Sequence, residues 1–138
     1  MLTRRTLFVF SAAAFVSIIG ASGALSETKL EPRTSNENGV LVVVTPKHVG
    51  PNDRIWEFDV SVDTHVKPLN ADITKNSSLI DSSGQHFKAL KWEGTGPGGH
   101  HRKGTLQFLR PDPLPTTVTL EIEGLGASAK RSFSWNLK

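Results

Sequence analysis

A chain of 138 residues with no cysteine has room for one core of ordinary size and no disulfide to brace it. Its sole methionine is Met1, so a soft ion such as Cu(I) finds neither thiolate nor thioether beyond the first residue. The formal charge of +3 comes from 16 basic and 13 acidic side chains that are interspersed, without a like-sign block able to track phosphates, which sets nucleic-acid binding aside.

The N-terminus has the three parts of an export signal. Arg4-Arg5 forms a basic start, Leu7 to Ile19 an apolar middle, and Ala21-Ser22-Gly23-Ala24 a small-residue exit. Thr3-Arg4-Arg5-Thr6-Leu7-Phe8 resembles the twin-arginine motif, in which Ser or Thr, two arginines, any residue and apolar residues precede the h-region. The ordinary secretory route leads to the same space. Residues 1–24 are therefore read as a cleaved signal peptide, cut after Ala24 or Ser26, with membrane contact only during export and a periplasmic or secreted product. Cleavage removes two arginines and no acid, leaving the mature chain one positive charge in excess with histidine neutral.

Residues 25–39 are polar, carry Pro32 and the cluster Ser35-Asn36-Glu37-Asn38-Gly39, and show no sustained period. They read as a flexible leader before a single domain over 40–138. Val40 to Val44 is a β-branched run bounded by Gly39 and Pro46. Trp56, Phe58, Val60 and Val62 then alternate with Glu57, Asp59, Ser61 and Asp63, the period of a half-buried strand. A further strand is expected around Val66 to Ile73. Leu79 to Phe87 reads as a hairpin, with Asp81 accepting backbone hydrogen bonds and Gly84 taking positive φ. Leu106 and Phe108, Val118, Leu120 and Ile122, and Phe133, Trp135 and Leu137 continue the alternation.

No mature segment keeps a helical period. About seven strands with turn signals between them predict an all-β fold, an antiparallel immunoglobulin-like β-sandwich, with a small barrel as the rival. Trp56, Phe58, Val60, Leu106, Phe108, Leu120, Ile122, Phe133 and Trp135 are the expected core, and Trp92 is expected to anchor it as well.

Five histidines stand at 48, 65, 86, 100 and 101. His100-His101 follows the glycine-rich loop Gly94-Thr95-Gly96-Pro97-Gly98-Gly99, and Asp63-Thr64-His65 ends the clearest strand. In an ideal strand the adjacent pair would point to opposite faces, a restriction that glycine relaxes. A site for Cu(II) or Zn(II) follows from His65, His100 and His101 with Asp63 as ligand or hydrogen-bond partner, Glu93 and water being the other donors. The competing expectation is that the histidines only shape the loop, beside a solvated Arg102-Lys103 pair. The glycine loop lacks the ending of a phosphate-binding loop, and no nucleophile elbow or paired-carboxylate motif is present, so the expected function is non-catalytic binding.

The run from Trp56-Glu57-Phe58 through Asp63-Thr64-His65, Trp92-Glu93-Gly94, Gly98-Gly99-His100-His101 and Arg131-Ser132-Phe133-Ser134-Trp135 resembles small exported bacterial immunoglobulin-like proteins of unassigned role. That resemblance implies the fold and the compartment. A fainter one, to periplasmic copper-binding sandwiches, implies a metal, although no histidine falls at the expected mature terminus. The alternative function is an interaction or assembly module docking another envelope protein through loops or strand edges.

Overall fold

The computed structural model describes residues 29–126 and 130–138; the expected signal peptide lies outside the described residues. Nine strands occur among them: β1 (Arg33–Glu37), β2 (Val40–His48), β3 (Ile55–Thr64), β4 (Ser77–Asp81), β5 (His86–Lys88), β6 (Lys91–Gly94), β7 (His101–Leu109), β8 (Thr117–Glu123) and β9 (Lys130–Asn136). All pair antiparallel, in a five-stranded sheet of order β1-β2-β3-β7-β6 and a four-stranded sheet of order β5-β4-β8-β9. Without β1, these two orders are those of an immunoglobulin-type sandwich with its additional edge strand on the second sheet. Among the described residues no helix is long and apolar enough to cross a membrane.

The alternation builds the core. On β3 the burial pattern switches at every residue, placing Trp56, Phe58, Val60 and Val62 inside and Asp63 on the outer face. Leu106, Phe108, Leu120, Ile122, Phe133 and Trp135 join them, so every expected core residue except Trp92 is buried. Phe58 sits between Phe108, edge-on at 6.0 Å, and Trp135, tilted at 5.5 Å. Trp92 is only half-buried, because β6 is an edge strand.

Two expectations about strands need correction. The fold starts before Val40: Arg33–Glu37 pairs with β2 through the two-residue turn Asn38-Gly39, whose φ values of 52° and 75° are both positive. Asn-Gly is the pair that such a hairpin turn favours. The segment Val66 to Ile73 is not a strand, because it carries the chain from one sheet to the other and inserts only Leu69 and Ile73 into the core. Phe87 and Trp92 lie on different strands, β5 and β6, in different sheets. The hairpin at Asp81 is as expected: its Oδ1 accepts the amides of Ser83 and Gln85, both at 2.9 Å, and Gly84 has φ 85°.

Candidate functional site

The β3–β7 ladder sets the site. In its register Asp63 pairs with His101, and both point to the outer face, opposite in sense to the buried Thr64 and Arg102 that flank them. His101 Nδ1 lies 2.5 Å from Asp63 Oδ1. The hydrogen bond from His101 is the first reason the Asp63 carboxyl titrates below its ordinary value; partial burial opposes it, and the Ser61 hydroxyl, 3.3 Å away, adds to it. With Nδ1 engaged by the carboxylate, Nε2 of His101 remains to face outward chemistry. His65, one residue past β3, brings its ring edge-on to His101 with centroids 6.4 Å apart.

His100 does not join them by its side chain. It is exposed, and its carbonyl accepts the Thr64 amide at 2.9 Å. Glu93 is engaged with Lys91 at 2.5 Å. The structure thus brings together Asp63, His65 and His101 and leaves out His100 and Glu93. Among the described residues there is no group of three or more His, Cys, Asp or Glu side chains placed to hold a metal ion. Metal–nitrogen bonds of about 2.0–2.1 Å put two imidazole centroids about 5 Å apart on a tetrahedral ion and about 6.5 Å apart only when the nitrogens lie opposite each other, so His65 and His101, at 6.4 Å, must close by about 1 Å to share a tetrahedral ion, with Asp63 behind one of them.

The irregular segments that carry these residues are fastened by backbone hydrogen bonds rather than by a ladder. Leu69 N donates to Gly99 O at 2.9 Å and Gly98 N to Leu69 O at 2.8 Å, where Gly98 and Gly99 have φ of 105° and 72°. Arg102 completes the fastening from inside. It is 2% exposed and donates to the carbonyls of Ala71 (2.5 Å), Thr95 (3.2 Å) and Leu69 (3.5 Å). Its guanidinium also lies 5.8 Å from the Trp92 ring centre. Burial lowers its pKa from the ordinary arginine value, against the pull of Asp72. The expected solvated Arg102-Lys103 pair is therefore half wrong: Lys103 is exposed, whereas Arg102 falls in phase with Leu106 and Phe108 and faces inward. That phase was the signal available in the sequence.

At the other end of the sandwich an open cleft of about 900 Å³ is lined by His48, Val49, Trp56, Leu114 and Leu137 among others. His48 Nε2 is 3.8 Å from Glu57 there, with no second histidine lining the cleft.

No protein-family model and no curated protein matches the chain. Among solved structures it is similar to a DUF4426 family protein from Pseudomonas aeruginosa PAO1, with 16% identity and a TM-score of 0.43, over 76% of this chain and 91% of that one.

Proposed function

We propose that this chain is a non-catalytic binding protein of the periplasm or extracellular space, exported by its twin-arginine-like N-terminus, that takes up a divalent metal, Cu(II) or Zn(II), through His65 and His101. The observation that carries this reading is the Asp63–His101 contact beside a second imidazole. A carboxylate that accepts from one imidazole nitrogen fixes the tautomer and raises the basicity of the other, the usual support of a metal-bound histidine. Asp63 then acts as the orienting group, and water or an outside donor fills the remaining positions. The absence of sulfur donors beyond Met1 favours ions that accept imidazole.

Isothermal titration of the tag-free exported protein with each ion tests this. His65→Ala and His101→Ala should each abolish saturable uptake, His100→Ala should leave it intact, and Asp63→Ala should weaken it about 10–100-fold. Protons compete for the same lone pairs, so uptake weakens on acidification. Undiminished binding in the two histidine variants, or none in the parent protein, would favour the envelope-interaction alternative.

A further inference from the structure

The cleft at the end opposite Asp63 and His101 is lined from both sheets, by the end of β2 and the start of β3 and by the end of β9. Ladder pairing in β2 slips between Pro46 and His48, so Lys47 is an extra residue without a partner on β3, and a bulge of this kind re-aims the side chain it carries. Lys47 lines the cleft together with Lys29. The turn beside them is fixed: Trp56 Nε1 donates to Gly50 O at 2.9 Å, and the Gly50 amide donates to Asp53 Oδ2 at 2.9 Å. Leu30, Val49 and Leu137, half-buried against the core, supply apolar surface, and Leu114, 49% exposed, adds to it.

The charged groups of the cleft divide into two sets. Its carboxylates are occupied within the chain, Asp53 by the Gly50 amide and Asp59 by the Thr105 hydroxyl at 2.6 Å. Lys29 and Lys47 are exposed and have no hydrogen bond or ion pair among the described residues. Wet leucine surface beside unengaged ammonium groups matches a molecule with an apolar body and an anionic head. The volume, about 900 Å³, lies in the range of small-molecule sites, about 300–1,000 Å³. From these walls we infer that the cleft binds a single-chain organic anion of the fatty-acid class, its carboxylate held by Lys29 and Lys47 and its chain laid on Leu114, Leu30 and Leu137. Burial of the chain supplies most of the affinity, because exposed lysines contribute little each, and the lysines select the sign of the head. This site is independent of the metal reading, since His65 and His101 take no part in it.

Isothermal titration of the exported protein with decanoate, decanol and decyltrimethylammonium, each below its micelle concentration, tests the inference. Decanoate should bind saturably and about tenfold more tightly than decanol, with the ammonium weakest. The indole N–H resonance of Trp56 should shift as decanoate is added. Lys47→Glu should weaken decanoate and leave decanol unchanged, Leu114→Asp should weaken both, and His101→Ala should weaken neither. Equal affinity for decanoate and decanol would overturn the anionic head, and no saturable decanoate binding would overturn the site. Binding that both Lys47→Glu and Leu114→Asp leave intact would overturn it as well. Unchanged circular dichroism in each variant excludes misfolding as the cause, and none of these results bears on zinc uptake.

Discussion

Two places in this sandwich are closed by a buried arginine, and they differ in what the arginine holds. Arg131, on β9, donates to the carbonyls of Glu37 (2.9 Å), Val40 (3.1 Å) and Ser35 (3.3 Å) and to the Ser35 hydroxyl (2.9 Å), tying β1 and its turn across to the second sheet. Glu37 stands 3.8 Å from its Nε. Arg102 fastens two irregular segments to each other and has carbonyls as its hydrogen-bond acceptors. One guanidinium has a carboxylate beside it and closes the fold; the other is held by peptide dipoles and closes the base of the histidine site. The planar fork suits both tasks, since it reaches several acceptors that no strand ladder satisfies.

Replacing each with methionine sharpens the contrast. Arg131→Met leaves three carbonyls and the Ser35 hydroxyl without their donor and loosens the tie of β1 to the second sheet, and should cost about 2–4 kcal/mol in chemical denaturation, each part-buried acceptor left unpaired costing about 1–3 kcal/mol at most. Arg102→Met should cost less, about 1–3 kcal/mol, because the removed charge had no salt-bridged carboxylate and its desolvation is relieved. Its larger effect should be on function: with the 64–72 and 94–101 segments loosened, zinc uptake should fall while His65 and His101 are both still present. Equal stability losses with unchanged uptake would show that the two arginines do the same work.

Gly39→Ala probes the β1 side more gently. The positive φ and the approach of Val66 both oppose a side chain there, and thermal unfolding should record a loss of about 1–2 kcal/mol. The smallest effect is expected at Asp81, far from either arginine. The Ser83 hydroxyl, with the amides of the same turn, holds its carboxyl below the ordinary value. A lowered folded-state pKa contributes stability above the unfolded value of about 3.9 and loses it as pH falls through the folded one. Asp81→Asn should therefore flatten the acid limb of the melting temperature below about pH 4.

The core was legible because each strand that builds it has one apolar face. Trp56 to Val62 and Val118 to Ile122 announce themselves by period alone. β1 was not, since as an edge strand it exposes four of its five residues and has no apolar face to read. Its turn was nonetheless written as Asn38-Gly39, a stronger hairpin signal than the polarity around it. Val66 to Ile73 misled in the opposite direction: it carries apolar residues because it plugs the end of the core, and its backbone bonds to the glycine loop instead of to a strand. At the site, Asp63 and His101 meet because the β3–β7 register sets them opposite, which the sequence could not supply without the pairing. His100 falls out because it precedes β7, in the bend whose carbonyl takes the Thr64 amide, so the ladder that sets His101 against Asp63 does not orient it.

The most direct test uses the five histidines as their own reporters. A nitrogen-edited magnetic resonance spectrum of the imidazoles, recorded while Zn(II) is added, should shift the ring signals of His65 and His101 together and saturably, leaving His48 and His86 where they were. Ring shifts at His48, beside the opposite cleft, without shifts at His65 and His101 would contradict the account, as would a spectrum that zinc leaves unchanged.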